Sequence, residues 1–126
     1  MVIYVDIDET ICRSPEDRDY SKASPIEKNI KKINELYYNG NTIIYWTARG
    51  TGSGIDWAEV TLKQFKKWKV KFHELKFGKP VYDLFIDDKN INSDDFFKEK
   101  IKERQRQQYN KVKEKQTILQ EDIIKV

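Results

Sequence analysis

Hydrophobic positions fall along this chain in two alternating rhythms, short unbroken runs and stripes that recur every three or four residues. Val2-Ile3-Tyr4-Val5 is β-branched or aromatic throughout, which predicts a central parallel strand covered on both faces. Ser24-Pro25-Ile26-Glu27 then predicts a helix start, with Ser24 as N-cap, Pro25 in the first turn and Glu27 closing a capping box. Ile26, Ile30, Ile33 and Tyr37 carry the helical stripe until Asn39-Gly40 ends it. Thr42 to Trp46 is a second unbroken strand pattern. Asp56 and Glu59 frame another capping box, ahead of a helix whose buried stripe is Trp57, Leu62, Phe65 and Trp68. Val70 to Leu75, short and mixed, predicts a third strand nearer the sheet edge, and Tyr82 to Ile86 a fourth. Ser93 opens a last helix from Asp94 to about Lys115, with Phe96, Phe97 and Ile101 turned toward the sheet.

Strands alternating with helices across short loops predict an α/β fold, a Rossmann-like three-layer sandwich with a small parallel sheet plus a C-terminal helix. A chain of 126 residues suits one core. Residues 1–95 form that expected core and 96–126 a helical extension. Beyond Ile101 only Tyr109, Val112, Leu119 and Ile123 remain as a thin apolar stripe. Two roles stay open for it, pairing with a second copy as a short coiled coil or serving as a solvated tail.

Charge changes this picture little. With 24 Lys and Arg against 21 Asp and Glu, the excess of +3 is too small to argue for a nucleic-acid partner. The single cysteine, Cys12, excludes an intramolecular disulfide and points to a reducing compartment; as a group it reads first as a small packing residue. No apolar stretch approaches the roughly 20 residues of a membrane span, so no membrane partner and a cytoplasmic location are the expectation.

Chemistry enters where the strands stop. The first runs into Asp6 and Asp8, the second into Thr47-Ala48-Arg49, and the fourth into Asp87 and Asp88. If the sheet is parallel, these ends share one edge, where ligands bind in open α/β sheets. Two carboxylates as close as Asp6 and Asp8 repel unless a cation or proton lies between them, and oxygen-only ligands favour magnesium. An ionised Asp is also a nucleophile toward phosphorus, with a second Asp two residues on to move protons. The loop Gly50-Thr51-Gly52-Ser53-Gly54 is rich in main-chain donors, which fits a phosphate cradle without being a P-loop. Each feature alone has a plainer explanation: paired acids cap turns, a loop lysine such as Lys79 is usually solvated, and the lone His73 is more often structural.

Taken together, Asp6-x-Asp8-x-Thr10, Thr47, Lys79 and Asp87-Asp88 resemble the four sequential motifs of the haloacid dehalogenase superfamily, across about residues 1 to 95. Within it, IIYWTARG, KFHEL, FGKP and YDLFIDDK are most similar to small capsule and surface-polysaccharide biosynthesis phosphatases. The resemblance implies that Asp6 is the nucleophile and that Asp8 protonates the leaving oxygen, then deprotonates water. It implies magnesium held by Asp6, the Asp8 carbonyl and Asp87, with Asp88 bound directly or through water. Thr47, Ala48 and Arg49 would line the phosphoryl site and Lys79 would neutralise charge, while Thr10 fixes the turn. Neither inter-motif interval leaves room for a cap domain, so the site is expected to be open unless another subunit covers it. The implied activity is a magnesium-dependent phosphomonoesterase acting through an aspartyl phosphate on a small phosphorylated sugar or polyol-like metabolite. The alternatives are a nucleotide, nucleic-acid-end or phosphoprotein phosphatase, or a binding module that keeps the fold without the chemistry.

Overall fold

In the computed structural model, which describes residues 1–99 and 110, the run Thr42–Trp46 forms the strand from which the sheet is built. In chain order the elements are β1 (Val2–Val5), β2 (Cys12–Arg13), a 3-10 turn (Tyr20–Lys22), β3 (Ser24–Pro25), α1 (Glu27–Tyr38), β4 (Thr42–Trp46), α2 (Ala58–Lys67), β5 (Glu74–Lys76) and α3 (Ser93–Phe97). The sheet order is β1-β4-β5 and both pairings are parallel, Val2 opposite Thr42 and Ile44 opposite Glu74. β2 and β3 make a separate antiparallel pair. The architecture is thus a small α/β sandwich of Rossmann-like form, with helices flanking a three-stranded parallel sheet.

Its core is assembled from the strand runs and one face of each helix. Ile43 and Tyr45 from β4 pack with Val5, Ile7, Ile11, Ile30, Ile33, Leu36, Phe65 and Val70. On α1 the buried stripe is Ile30, Ile33 and Leu36, each worth about 1.5–3 kcal/mol of removal from water. His73 is structural, its Nδ1 accepting from Ile43 N–H at 3.0 Å while its ring packs on Tyr37. No helix among the described residues is long and apolar enough to cross a membrane.

Several expectations are corrected. Ser24 and Pro25 belong to β3 rather than to a helix cap; α1 starts after Ile26 with no side-chain cap, because pairing with Cys12 and Arg13 holds this segment extended. The capping box expected on α2 does not form: the N-cap position is Trp57 with no side-chain cap, Asp56 accepts from Ala58 N–H in a local turn, and Glu59 pairs forward with Lys63. Leu62 faces solvent, and Thr61 and Gln64 are buried in its place. The third strand is shorter than expected, Glu74–Lys76 alone.

The largest departure is Tyr82–Ile86, which forms no strand. Leu84 is 75% and Ile86 87% exposed, so the segment contributes nothing to the core. Gly78, at φ +83, and Pro80 turn the chain away after β5. β propensity is local, but a strand exists only by pairing with a neighbour. β1 consequently lies at the edge of the sheet rather than at its centre, with Val2 and Tyr4 exposed. Of the expected last helix, Ser93–Phe97 is seen, capped by Asn92 rather than Ser93. Of the 96–126 extension, Ile101 and the apolar stripe of Tyr109, Val112, Leu119 and Ile123 lie outside the described residues.

Candidate active site

Parallel strands release their carboxyl ends on one side, and this brings three distant residues together. β1 leads into Asp6, β4 into Thr47, and β5 into the turn that carries Lys79. Main-chain bonds continue past the strands: Thr47 N–H donates to the Lys76 carbonyl at 2.9 Å, and Lys79 N–H to the Thr47 carbonyl at 3.1 Å. The Thr51 hydroxyl ties down the Lys79 carbonyl at 2.8 Å. With its backbone fixed beside Thr47, Lys79 reaches across to Asp6, placing Nζ 3.3 Å from Oδ2. The other Asp6 oxygen accepts from Ile7 N–H at 2.8 Å. Burial pushes the Asp6 carboxyl above its ordinary value, against the opposing pull of Lys79.

Asp8 is positioned by a tight turn. Ile11 N–H bonds the Ile7 carbonyl at 2.9 Å, Glu9 adopts φ +59, and Cys12 is brought back beside Asp8. Three side chains then converge on Asp8: the Ser14 hydroxyl and the Cys12 thiol both donate to Oδ1, the thiol at 3.4 Å, and Arg49 closes on both oxygens. Arg49 Nε is 2.9 Å from Oδ2 and its NH2 nitrogen 2.8 Å from Oδ1, the side-by-side geometry that only a guanidinium can offer a carboxylate. Its NH1 nitrogen is held by Thr61 Oγ1 at 3.0 Å and Gln64 Oε1 at 2.7 Å, both on α2.

The expected substrate contact from Arg49 is therefore not seen. Its side chain has no exposed surface, because its partners enclose it. Thr47 is buried too, and its hydroxyl accepts from Arg49 N–H at 3.1 Å. Ala48 is half-buried between them, its carbonyl taken by Thr51 N–H. Thr10 is buried in the turn after β1, where its N–H donates to the Ile7 carbonyl at 3.2 Å and its carbonyl accepts from the Asn29 side chain at 2.9 Å.

Asp87 and Asp88 are not brought to this edge in a metal-binding arrangement. Both are exposed, in the segment that left the sheet. Hydrogen bonding from Asp88 and from Lys89 N–H holds the Asp87 carboxyl below its ordinary value. Among the described residues no group of three or more His, Cys, Asp or Glu is arranged to hold an ion. As arranged, then, the donor set does not fit magnesium, which needs converging oxygens in near-octahedral geometry; here the nearest partner of Asp6 Oδ2 is an ammonium, and Asp8 is engaged by a guanidinium.

Sequence reasoning missed Ser14, Thr61 and Gln64. A signal for the last two exists: Trp57, Thr61, Gln64, Phe65 and Trp68 share one helical stripe, so two polar residues stand on the inward face. Buried polar groups demand partners, and Arg49 is that partner.

No family model matches the sequence, and no curated protein does. Among solved structures, a crystal structure of an MCSG target from Vibrio cholerae is similar, with a TM-score of 0.69 and 20% identity over 92% of this chain and 96% of that one. At that identity the likeness shows the fold alone.

Proposed function

We propose that the chain is a phosphatase of the haloacid dehalogenase type, passing a phosphoryl group from a small phosphorylated metabolite to Asp6 and then to water. The observation that carries this is the ammonium of Lys79, 3.3 Å from Asp6 Oδ2 at the carboxyl edge of a parallel sheet. A carboxylate nucleophile and a phosphate ester repel one another, and a fixed cation between them offsets that repulsion most where charge develops on the phosphoryl oxygens.

In the first step an Asp6 oxygen attacks phosphorus, the ester P–O bond breaks, and the leaving oxygen takes a proton from Asp8. In the second, Asp8 accepts a proton from water as that water attacks phosphorus, and the acyl phosphate bond breaks to release phosphate and Asp6. Lys79 neutralises the phosphoryl oxygens throughout, with the half-buried Ala48 main chain beside it; a phosphate contact from Thr47, which is buried here, belongs to the proposal through the sequence resemblance alone.

Magnesium belongs to this proposal through the sequence alone, and no step is assigned to it. Asp87 and Asp88 would have to approach Asp6 by movement of the segment that carries them. A sugar or polyol-like substrate from surface-polysaccharide synthesis is likewise proposed from the sequence resemblance. No inserted domain lies over the site among the described residues, which suits a substrate admitted without a cap.

Release of phosphate from acetyl phosphate and p-nitrophenyl phosphate, with magnesium or EDTA, is the direct test. The wild type should turn over both, and Asp6→Asn and Lys79→Ala should abolish or sharply reduce turnover. Equal background rates in all three proteins would overturn the proposal. The dispersed carboxylates favour the second reading, a binding module, and that outcome would select it.

A further inference from the structure

We propose that Arg49 is a positioning residue that sets the geometry of Asp8 from behind the site without touching substrate, an inference that rests on the phosphatase proposal above. A guanidinium carries five N–H donors. In Arg49 each has a partner: Nε on Asp8 Oδ2, the NH2 nitrogen on Asp8 Oδ1 and, at 3.7 Å, on Cys12 Sγ, and the NH1 nitrogen on Thr61 Oγ1 and Gln64 Oε1. The Tyr20 ring covers the guanidinium with its centroid 4.9 Å away. No donor remains for a phosphate, and no surface remains for one to approach.

What the arrangement does is orient a carboxylate. The two-pronged contact fixes the plane of Asp8, while the Ser14 hydroxyl and the Cys12 thiol crowd Oδ1. Oδ2 accepts from Arg49 Nε alone, so its second lone pair is the place for the transferred proton. Thr61 and Gln64 in turn fix the guanidinium, and Gln64 Nε2 also donates to the Tyr20 carbonyl at 2.6 Å. One buried cation thus ties α2 and the loop at the rim of the site to the orientation of Asp8. Burying an arginine is costly and a single-point lysine cannot reproduce the fork, so the arrangement has meaning where carboxylate direction matters.

The test is a split between kcat and KM, measured with phenyl phosphate, whose leaving oxygen needs the proton from Asp8, on wild type, Arg49→Lys and Thr61→Val. A misdirected acid–base group costs on the order of 10²-fold in rate. Arg49→Lys should lose kcat on that scale with KM and inhibition by inorganic phosphate unchanged, and in Arg49→Gly added methylguanidine, but not methylamine, should restore turnover. Thr61→Val, which removes one partner of the guanidinium and keeps every charge, should lose kcat several-fold with KM unmoved, and decides the matter if the Arg49 variants do not fold. Weakened phosphate inhibition or raised KM in a folded variant would mean that Arg49 meets the substrate; unchanged kcat would remove any role in positioning. An inactive wild type would sink the phosphatase proposal itself, a different result from an active wild type with indifferent variants.

Discussion

Gln64→Leu is the perturbation that most directly probes how the site is held. Gln64 is buried on α2, where its Oε1 accepts from Arg49 at 2.7 Å and its Nε2 donates to the Tyr20 carbonyl at 2.6 Å. Leucine has similar bulk and can make neither bond. A hydrogen bond to a charged group is worth about 1.5–3 kcal/mol and a neutral one about 1 kcal/mol, so the expected destabilisation is about 2–4 kcal/mol before any gain from the added apolar surface. For a domain of this size that corresponds to a fall in Tm of roughly 10 °C. Urea unfolding followed by tryptophan fluorescence measures it, and Trp57, whose ring packs edge-on against Tyr20 at 5.1 Å, also reports whether the rim loop detaches. Because both bonds meet at one network, Gln64→Leu on an Arg49→Met background should cost at least about 1 kcal/mol less than it does alone. A loss below about 0.5 kcal/mol, the size expected of a surface change, would refute the network as a stabilising unit. Strict additivity of the double variant would refute the coupling.

Three further outcomes are expected. Burial, reinforced by the Asp8 carboxylate, pushes the Cys12 thiol from an ordinary value of 9.0 up to about 12. Folded protein should therefore resist iodoacetamide at pH 8, and its stability should hold below pH 9 and fall as pH rises toward 12, because only the unfolded chain releases this proton in that range; rapid labelling of folded protein would contradict this. The Tyr45 hydroxyl is buried with no hydrogen-bond partner among the described residues, so Tyr45→Phe should raise stability by about 1 kcal/mol in denaturant unfolding, and a clear loss would show that the hydroxyl is in fact satisfied. Gly50 sits at φ +81, where an added Cβ would lie 2.1 Å from the Ile55 carbonyl oxygen, while Gly52 has open space. Gly50→Ala should cost at least about 1 kcal/mol and Gly52→Ala less than about 0.5 kcal/mol, and equal melting temperatures would argue against this loop geometry.

Much of the fold was legible along the chain because its signals are local. The runs Val2–Val5 and Thr42–Trp46 and the stripe from Ile30 to Leu36 follow from side-chain periodicity, which needs no partner to be read. Parallel strand ends implied that Asp6, Asp8 and Thr47 share an edge with Asp87 and Asp88. The first three follow β1 and β4 there, Asp87 and Asp88 do not join them, and Lys79, by itself an ordinary loop lysine, reaches Asp6 through the turn after β5. Tertiary structure alone decided the rest, because pairing partners and burial are not local properties. Ser24 and Pro25 looked like a helix cap until a strand partner at Cys12 and Arg13 claimed them, and Tyr82–Ile86 looked like a core strand yet acquired no neighbour. Arg49 is the clearest case. Nothing in its immediate sequence distinguishes a solvated arginine or a phosphate ligand from a buried clamp, and only the approach of α2, with Thr61 and Gln64 facing inward, satisfied the donors that water would otherwise have held.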